Sequence, residues 1–351
     1  MKQIWISKKG APEVLQVREA PDPTAGPGEV RVRVRASGIN FADLAARQGV
    51  YPDAPPMPCV VGYEVSGVID QVGADVTGFA NGDRVFAMPK FGGYTDTLVV
   101  PAPQVQRMPE RMSFEEAAAL PVVYVTAHHM MLQTGTLRPG QRVFIHSVAG
   151  GVGLAALQLA LAHGCIVFGT ASPGKHDYVR KAGCAYPIDS ALEGDTLVAA
   201  VRKAMLDSGL PDKPNHGLDL VLDPVGGRSW TDSYKLLGPG GRLVAFGFSS
   251  IAGGKTLSVF HALGRLLGMK WGWSPMRLMD DNKAIAGVNM GHLFDRIDLL
   301  APQFEALIAM YEAGKIAPVV DRTFRFSEAA QAHHYVHDRK AKGKVLLVPD
   351  P

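Results

Sequence analysis

HSVAGGVGLAALQLA, residues 146–160, places glycines at 150, 151 and 153 and then continues as an apolar helix former. The preceding RVFI, 142–145, reads as a buried strand, so the glycines fall in a strand-to-helix turn. Glycine at such a turn lets backbone N–H groups approach an anion, and the helix N-terminus adds unpaired donors and positive dipole potential. The spacing A-G-G-V-G differs from the G-x-G-x-x-G dinucleotide fingerprint, so the pattern alone also admits a tight turn with no ligand. The surrounding units favour a pyrophosphate held by Ala149, Gly150, Gly151, Val152 and Gly153.

Outward from this turn the same texture repeats. CIVFGTAS (165–172) precedes KHDYVRKAG (175–183), GLDLVLDPVGG (217–227) precedes SWTDSYKLLG (229–238), and GRLVAFGFSS (241–250) closes the series. Short apolar strands alternating with glycine loops and helices imply a parallel sheet with helices on both faces. The first ~110 residues read differently, as β-rich sequence punctuated by Gly and Pro. VRVRVRASGI (30–39) and EVSGVIDQVG (64–73) carry that pattern, and Asn81-Gly82-Asp83 marks a tight turn. Ser113 with Glu116 forms a capping box where helical texture begins. TFRFSEAAQAHHYVHDRKAKGKVLLV (323–348) returns to strand, helix, strand, which predicts a discontinuous first domain. The expected fold is therefore α/β: a parallel-sheet domain over 123–291 and a β-rich domain assembled from 1–122 and 292–351. The strand RLVAFGF (242–248) is a candidate to extend a sheet across two subunits.

A net charge of +3 without a basic block argues against a nucleic-acid surface. Cys59, Cys165 and Cys184 are widely spaced with no CxxC pair, as expected of reduced thiols in a cytoplasmic protein. No apolar stretch reaches the ~18 residues a membrane span needs, and MKQIWISKKG lacks a signal-peptide core.

The end of the second strand bears on which nucleotide is bound. An NAD site usually places Asp or Glu there to accept from the ribose 2'-hydroxyl, whereas this chain offers Thr170, Ser172 and Lys175. A 2'-phosphate about 4 Å from a carboxylate would cost about 4 kcal/mol per unit charge at an effective dielectric near 20; hydroxyls and a lysine attract it. NADPH is the expected cofactor, with NADH possible.

Taken together, GPGEVRVRVRASGINFADL (26–44), PCVVGYEVSGVIDQVG (58–73), GDRVFA (82–87), AALPVVYVTA (118–127), AGGVG (149–153) and GKVLL (343–347) resemble the medium-chain dehydrogenase/reductase superfamily over nearly the whole chain. Within it, the chain is most similar to the zinc-free quinone oxidoreductases. FGTASPGKHDYVRKAGCAYPIDS (168–190), NKAIAGVNMGHL (282–293) and KIAPVVD (315–321) resemble the branch of vesicle amine transport protein homologues. The resemblance implies a Rossmann cofactor domain, a GroES-like catalytic domain, a homodimer, and reduction of a double bond conjugated to a carbonyl in an enone, enoyl-CoA or quinone. It places Asn40 and Thr126 beside the nicotinamide, and Phe246, Gly247, Ser249 and Asn289 at later strand ends near the cofactor. The run ADLAARQGVY (42–51) resembles the stretch that carries the proton-donating tyrosine of enoyl-thioester reductases, which makes Tyr51 the candidate donor and Tyr63 the second. Ser190 stands where close quinone oxidoreductases carry a tyrosine over the adenosine phosphate.

The zinc alcohol dehydrogenases of that superfamily have Cys where Asn40 stands and His where Tyr63 stands, and KFGGYTDTLVV (90–100) contains no cysteine for a structural zinc. No metal is expected. His333, His334 and His337 fall on one helix, which Asp338 and Arg339 mark as exposed. Trp271 and Trp273 are candidates for a pocket wall or dimer contact, and Arg265, Lys270 and Arg277 for coenzyme A phosphates. An alternative of a different class is a nucleotide-binding protein of structural or membrane-surface role, on the amphipathic pattern of SVFHALGRLLGMKWGW (258–273).

Overall fold

The computed structural model describes residues 1–209, 211, 216–249 and 273–351. Arg265, Lys270, Trp271 and nearly all of the amphipathic stretch 258–273 lie outside the described residues. The chain divides into two compact units, one of Met1–Val125 with Met290–Pro351 and one of the described residues between Thr126 and Asn289.

The second unit is built on six strands in the order Tyr186–Asp189, Ile166–Ala171, Arg142–Ile145, Leu218–Asp223, Leu237–Ala245, Ala284–Gly287. Every pairing is parallel. The central strands are apolar on both faces, with Val143, Phe144, Leu220, Val221 and Leu222 fully buried, as a sheet covered on two sides requires. From Arg142–Ile145 the chain builds outward in one direction and then crosses back to Leu218–Asp223. The strand order therefore reverses beside the glycine turn, the place where open α/β sheets bind ligands. The strand within RLVAFGF is paired on both sides, since Ala284–Gly287 continues the sheet beyond it. It has no free edge to extend across subunits, and that expectation is corrected.

In the first unit a seven-stranded sheet runs Val320–Arg325, Lys344–Val348, Glu29–Gly38, Val65–Val72, Arg84–Ala87, Val105–Arg107, with Thr97–Pro101 also paired to Glu29–Gly38. Along Glu29–Gly38 the period of two is explicit: Val30, Val32 and Val34 are buried while Arg31 and Arg33 turn out to the Asp70 carboxylate at 2.8 and 2.5 Å. The C-terminal strand pairs Leu346 with Gly38, so the chain's end completes the unit its beginning started. The capping box is present, with Glu116 N donating to Ser113 Oγ at 3.1 Å and Ser113 N donating to Glu116 Oε2 at 2.9 Å.

Helix Ala329–His337 departs from its expected exposure. His333 is completely buried, its Nε2 3.2 Å from the Tyr94 hydroxyl. His334 meets Glu13 and His337 meets Arg47. Neighbouring charges at 338 and 339 mark only one side of the helix, and the other side packs inward.

Candidate active site

Gly150 is the N-cap of helix Gly151–Ala162, and no side chain caps that end. Ser147, in the left-handed region at φ 56°, reverses the chain out of the strand. Gly153 and Gly150 do different work. A Cβ on Gly153 would stand 2.3 Å from the Ser147 carbonyl oxygen and 2.7 Å from Val148 Cα, so helix and turn meet there with no room for a side chain. A Cβ on Gly150 would meet only the Ser147 oxygen, at 3.3 Å. An uncapped helix start, glycine at its cap and a position at the strand-order reversal together fit a pyrophosphate.

Thr170 is buried, and its Oγ1 accepts from Ser147 N at 2.9 Å, which commits that oxygen to bracing the turn. Ser172 is exposed beyond the strand end and Lys175 half-buried in the turn Pro173–Lys175. Ser190 N donates to the Ala171 carbonyl at 2.9 Å. Phe246, Gly247 and Ser249 follow strand Leu237–Ala245, and an exposed Asn289 follows Ala284–Gly287. All of these lie at the carboxyl ends of the parallel strands. Asp223 orders its own loop, accepting from Val225 N at 2.8 Å and from the Ser229 and Ser233 hydroxyls at 2.7 Å. Thr126 is buried in helix Pro121–His128. Trp273 packs on Tyr234, and Arg277 lies over both rings.

In the first unit Asn40 begins helix Phe41–Arg47, but its side chain makes no cap hydrogen bond. Its Nδ2 donates to Glu64 Oε1 at 2.9 Å, and its Oδ1 accepts from Lys344 Nζ at 2.5 Å. Lys344 also pairs directly with Glu64. The second carboxylate oxygen of Glu64 accepts from Val122 N at 2.7 Å. Glu64 is fully buried and Lys344 is 3% exposed. Gly38 is the floor of this group, since a Cβ there would strike the Glu64 side chain. Sequence reasoning did not single out Glu64 or Lys344, which the fold brings to the Asn40 side chain. The signal available was an acid set in the apolar run VVGYEVSG (60–67) and a lysine opening the apolar strand KVLLV (344–348).

Asp43 lies beside them, fully buried, accepting from Asn40 N at 2.7 Å and Gly62 N at 2.9 Å. Burial pushes its carboxyl up to about 7. The folded state then holds a proton that the unfolded chain has released, so this contribution is complete below the unfolded value of 3.8 and is lost as pH rises through about 7. The stability advantage of the wild type over Asp43→Asn is expected to shrink across that window and level off above it. Urea unfolding of both proteins across the range checks this, and a difference independent of pH would refute it.

Tyr63 is 3% exposed, and among the described residues its hydroxyl has no hydrogen-bond partner. Its ring is enclosed by Tyr51, Phe91 and Phe294, with centroids 6.2, 5.3 and 5.9 Å away. Tyr51 is half-buried. Burial first, and then nearby Asp53 for Tyr51 and Asp43 for Tyr63, raise both phenols, which keeps them protonated. Among the described residues no group of three or more His, Cys, Asp or Glu side chains is arranged to hold a metal, and no helix is long and apolar enough to cross a membrane.

Residues 26–110 match the alcohol dehydrogenase GroES-like domain, and residues 188–347 match a family described as zinc-binding dehydrogenase. The synaptic vesicle membrane protein VAT-1 homolog of Rattus norvegicus is 39% identical over 96% of this chain and 81% of its own length. A quinone oxidoreductase of Pseudomonas aeruginosa is 33% identical over 99% of both chains. Among solved structures, Escherichia coli quinone oxidoreductase complexed with NADPH superposes with a TM-score of 0.83 at 27% identity, covering 99% of this chain and 100% of that one. The CurK enoyl reductase superposes with a TM-score of 0.83 at 25% identity, covering 99% of each. With a parallel sheet reversing its order at a glycine turn and a GroES-like unit around Asn40, the chain belongs to the medium-chain dehydrogenase/reductase family of NAD(P)H-dependent oxidoreductases, in its quinone oxidoreductase branch alongside the VAT-1 homologues.

Proposed function

We propose that this protein reduces carbon–carbon double bonds conjugated to a carbonyl, or quinones, with NADPH and without zinc. The observation that carries the reading is the uncapped helix start at Gly150–Gly151, followed on the next strand by Ser172 and Lys175 with no carboxylate at the strand end. The glycine turn takes the pyrophosphate, Ser172 and Lys175 take the 2'-phosphate, and Phe246, Gly247, Ser249 and Asn289 line the strand ends along the dinucleotide. Support for a zinc-free reaction comes from the donor set. Asn40 has both ends of its amide engaged, Tyr63 is a protonated phenol, and the Lys344 ammonium beside Asn40 and Glu64 repels a divalent cation. These residues do not fit a zinc ion, which needs three protein ligands in a catalytic site.

Bound NADPH supplies the hydride. Charge then develops on the substrate's carbonyl oxygen, and a donor near it lowers the barrier. Tyr51, neutral and half-buried, gives the proton. Tyr63, Phe91 and Phe294 offer an apolar aromatic lining suited to a flat conjugated group. The reading includes the homodimer that the family resemblance implies and a cytosolic location.

The test is NADPH oxidation against crotonyl-CoA, ethyl vinyl ketone and menadione, with NADH in parallel. Turnover of at least one acceptor with a preference for NADPH of about tenfold or more is expected. NADPH binding with no turnover of any acceptor would instead favour the reading as a nucleotide-binding protein at a membrane surface. That reading draws on Met276 and Met279, 72% and 68% exposed, and predicts enrichment on sedimented liposomes. Tyr51→Phe is expected to lower turnover by about 10²-fold or more, the range of a lost general acid, and Tyr63→Phe by less. If both variants keep full turnover, water is the proton source.

A further inference from the structure

The Asn40, Glu64 and Lys344 side chains form a closed triangle of hydrogen bonds within the first unit, and its chemistry fixes one orientation of an amide. An ammonium only donates, so the end of Asn40 facing Lys344 must be Oδ1. A carboxylate only accepts, so the end facing Glu64 Oε1 must be Nδ2. Glu64 is held in turn by Val122 N on its second oxygen and by the Gly38 backbone, where no side chain fits between. Three places far apart in the chain supply these groups: the N-cap of helix Phe41–Arg47, the residue before strand Val65–Val72 and the first residue of strand Lys344–Val348. Asn40 is 8% exposed, so the amide has a narrow face left to offer.

We propose that Lys344 is a positioning residue for the reduction: with Glu64 it locks the Asn40 amide in the single orientation that meets the nicotinamide ribose or the substrate oxygen. The proposal rests on the reading of Asn40 as a cofactor- or substrate-facing residue, and deepens it. An amide free to turn would present its donor and its acceptor in either order, and about half of its encounters would face the wrong way. The buried ion pair removes that freedom without any metal ligand.

The decisive variant is the pair Glu64→Gln/Lys344→Met, which leaves no bare buried charge. Val122 N still needs an acceptor, so the side-chain amide introduced at position 64 must turn its oxygen to Val122 and its nitrogen to Asn40. Asn40 is then driven to turn its Oδ1 toward that nitrogen, and its amide is presented inverted. Turnover with NADPH and the best acceptor of the panel is expected to fall by about 10²-fold, the scale of a misplaced group near the chemistry. KM for the acceptor should move little. The fluorescence of bound NADPH, read alongside, should change in the same direction as in Asn40→Ala, while urea unfolding confirms a folded protein.

Asn40→Ala separates the possible failures. With Asn40 removed, adding Glu64→Gln/Lys344→Met should cost no further turnover, because there is no amide left to orient. A further loss comparable to that in the wild-type background would overturn the positioning role while leaving Asn40 functional. Full turnover in the double variant would also overturn it. If Asn40→Ala itself keeps wild-type turnover and NADPH fluorescence, the assignment of Asn40 falls, and this proposal falls with it.

Discussion

Gly153→Ala is expected to weaken NADPH binding by about tenfold or more and to lower stability by about 1–3 kcal/mol, the range for overpacking. The atoms a new Cβ would strike are the Ser147 carbonyl oxygen at 2.3 Å and the backbone of Val148 at 2.7 Å. A backbone cannot swing aside as a flexible side chain can, so helix Gly151–Ala162 must shift as a body. That helix carries the N–H groups proposed to hold the pyrophosphate, and the side opposite Gly153 is packed, with Ala155 and Leu159 buried. The shift is therefore resisted by the core and felt at the cofactor. Gly174 is the stability control, because a Cβ there meets nothing within 4 Å. Fluorescence titration with NADPH and urea unfolding read the two effects. Unchanged affinity together with unchanged stability would show that helix and turn do not meet as closely as this geometry requires.

What could be read from the sequence was what repeats locally. The alternation of valine and arginine over 30–35 marked a half-buried strand, and the apolar run after Gly153 marked a buried helix, because each period is written in neighbouring residues. Strand Tyr186–Asp189 was not singled out. It is four residues long, contains Pro187 and sits at the sheet edge, where a missing N–H does little harm. Strand Ala284–Gly287 was missed for its shortness too, and that omission left RLVAFGF looking like an edge.

Contacts between distant parts of the chain left no such trace. His333 finds Tyr94 across 239 residues, and nothing in the local charge pattern could announce that one face of its helix is buried. The glycine turn was legible because strand, glycines and helix follow one another within a few residues. The group around Asn40 was not, because Glu64 lies 24 residues away and Lys344 lies 304 away. Asn40 itself was singled out only through a resemblance, which carried no information about what holds its side chain. The part of the site proposed to bind a dinucleotide is thus local in sequence, and the part proposed to orient a reacting group is assembled by the fold.

Lys344→Met alone is expected to cost about 3–5 kcal/mol of stability, because it strands the Glu64 carboxylate away from water without its partner. A typical domain holds about 5–15 kcal/mol in all, so this single change would consume a large share. Methionine matches the length and volume of the lysine stem, so little packing is lost and the missing ammonium dominates. Glu64 keeps its bonds from Val122 N and Asn40 Nδ2, which soften the loss without neutralising the charge. Adding Glu64→Gln should recover most of the stability, since no charge then remains to be desolvated, even though activity stays low because the Asn40 amide is inverted. Stability and turnover would part company between the single and double variants, which a general loosening of the fold does not produce. The exposed pair Lys203–Asp207, at 2.8 Å on helix Gly194–Asp207, serves as the contrast: Lys203→Met should leave the urea midpoint unchanged within error, as expected where water solvates both charges. A Lys344→Met protein as stable as the wild type would mean that Glu64 is not held there as a buried carboxylate, and the triangle would lose the charge that fixes it.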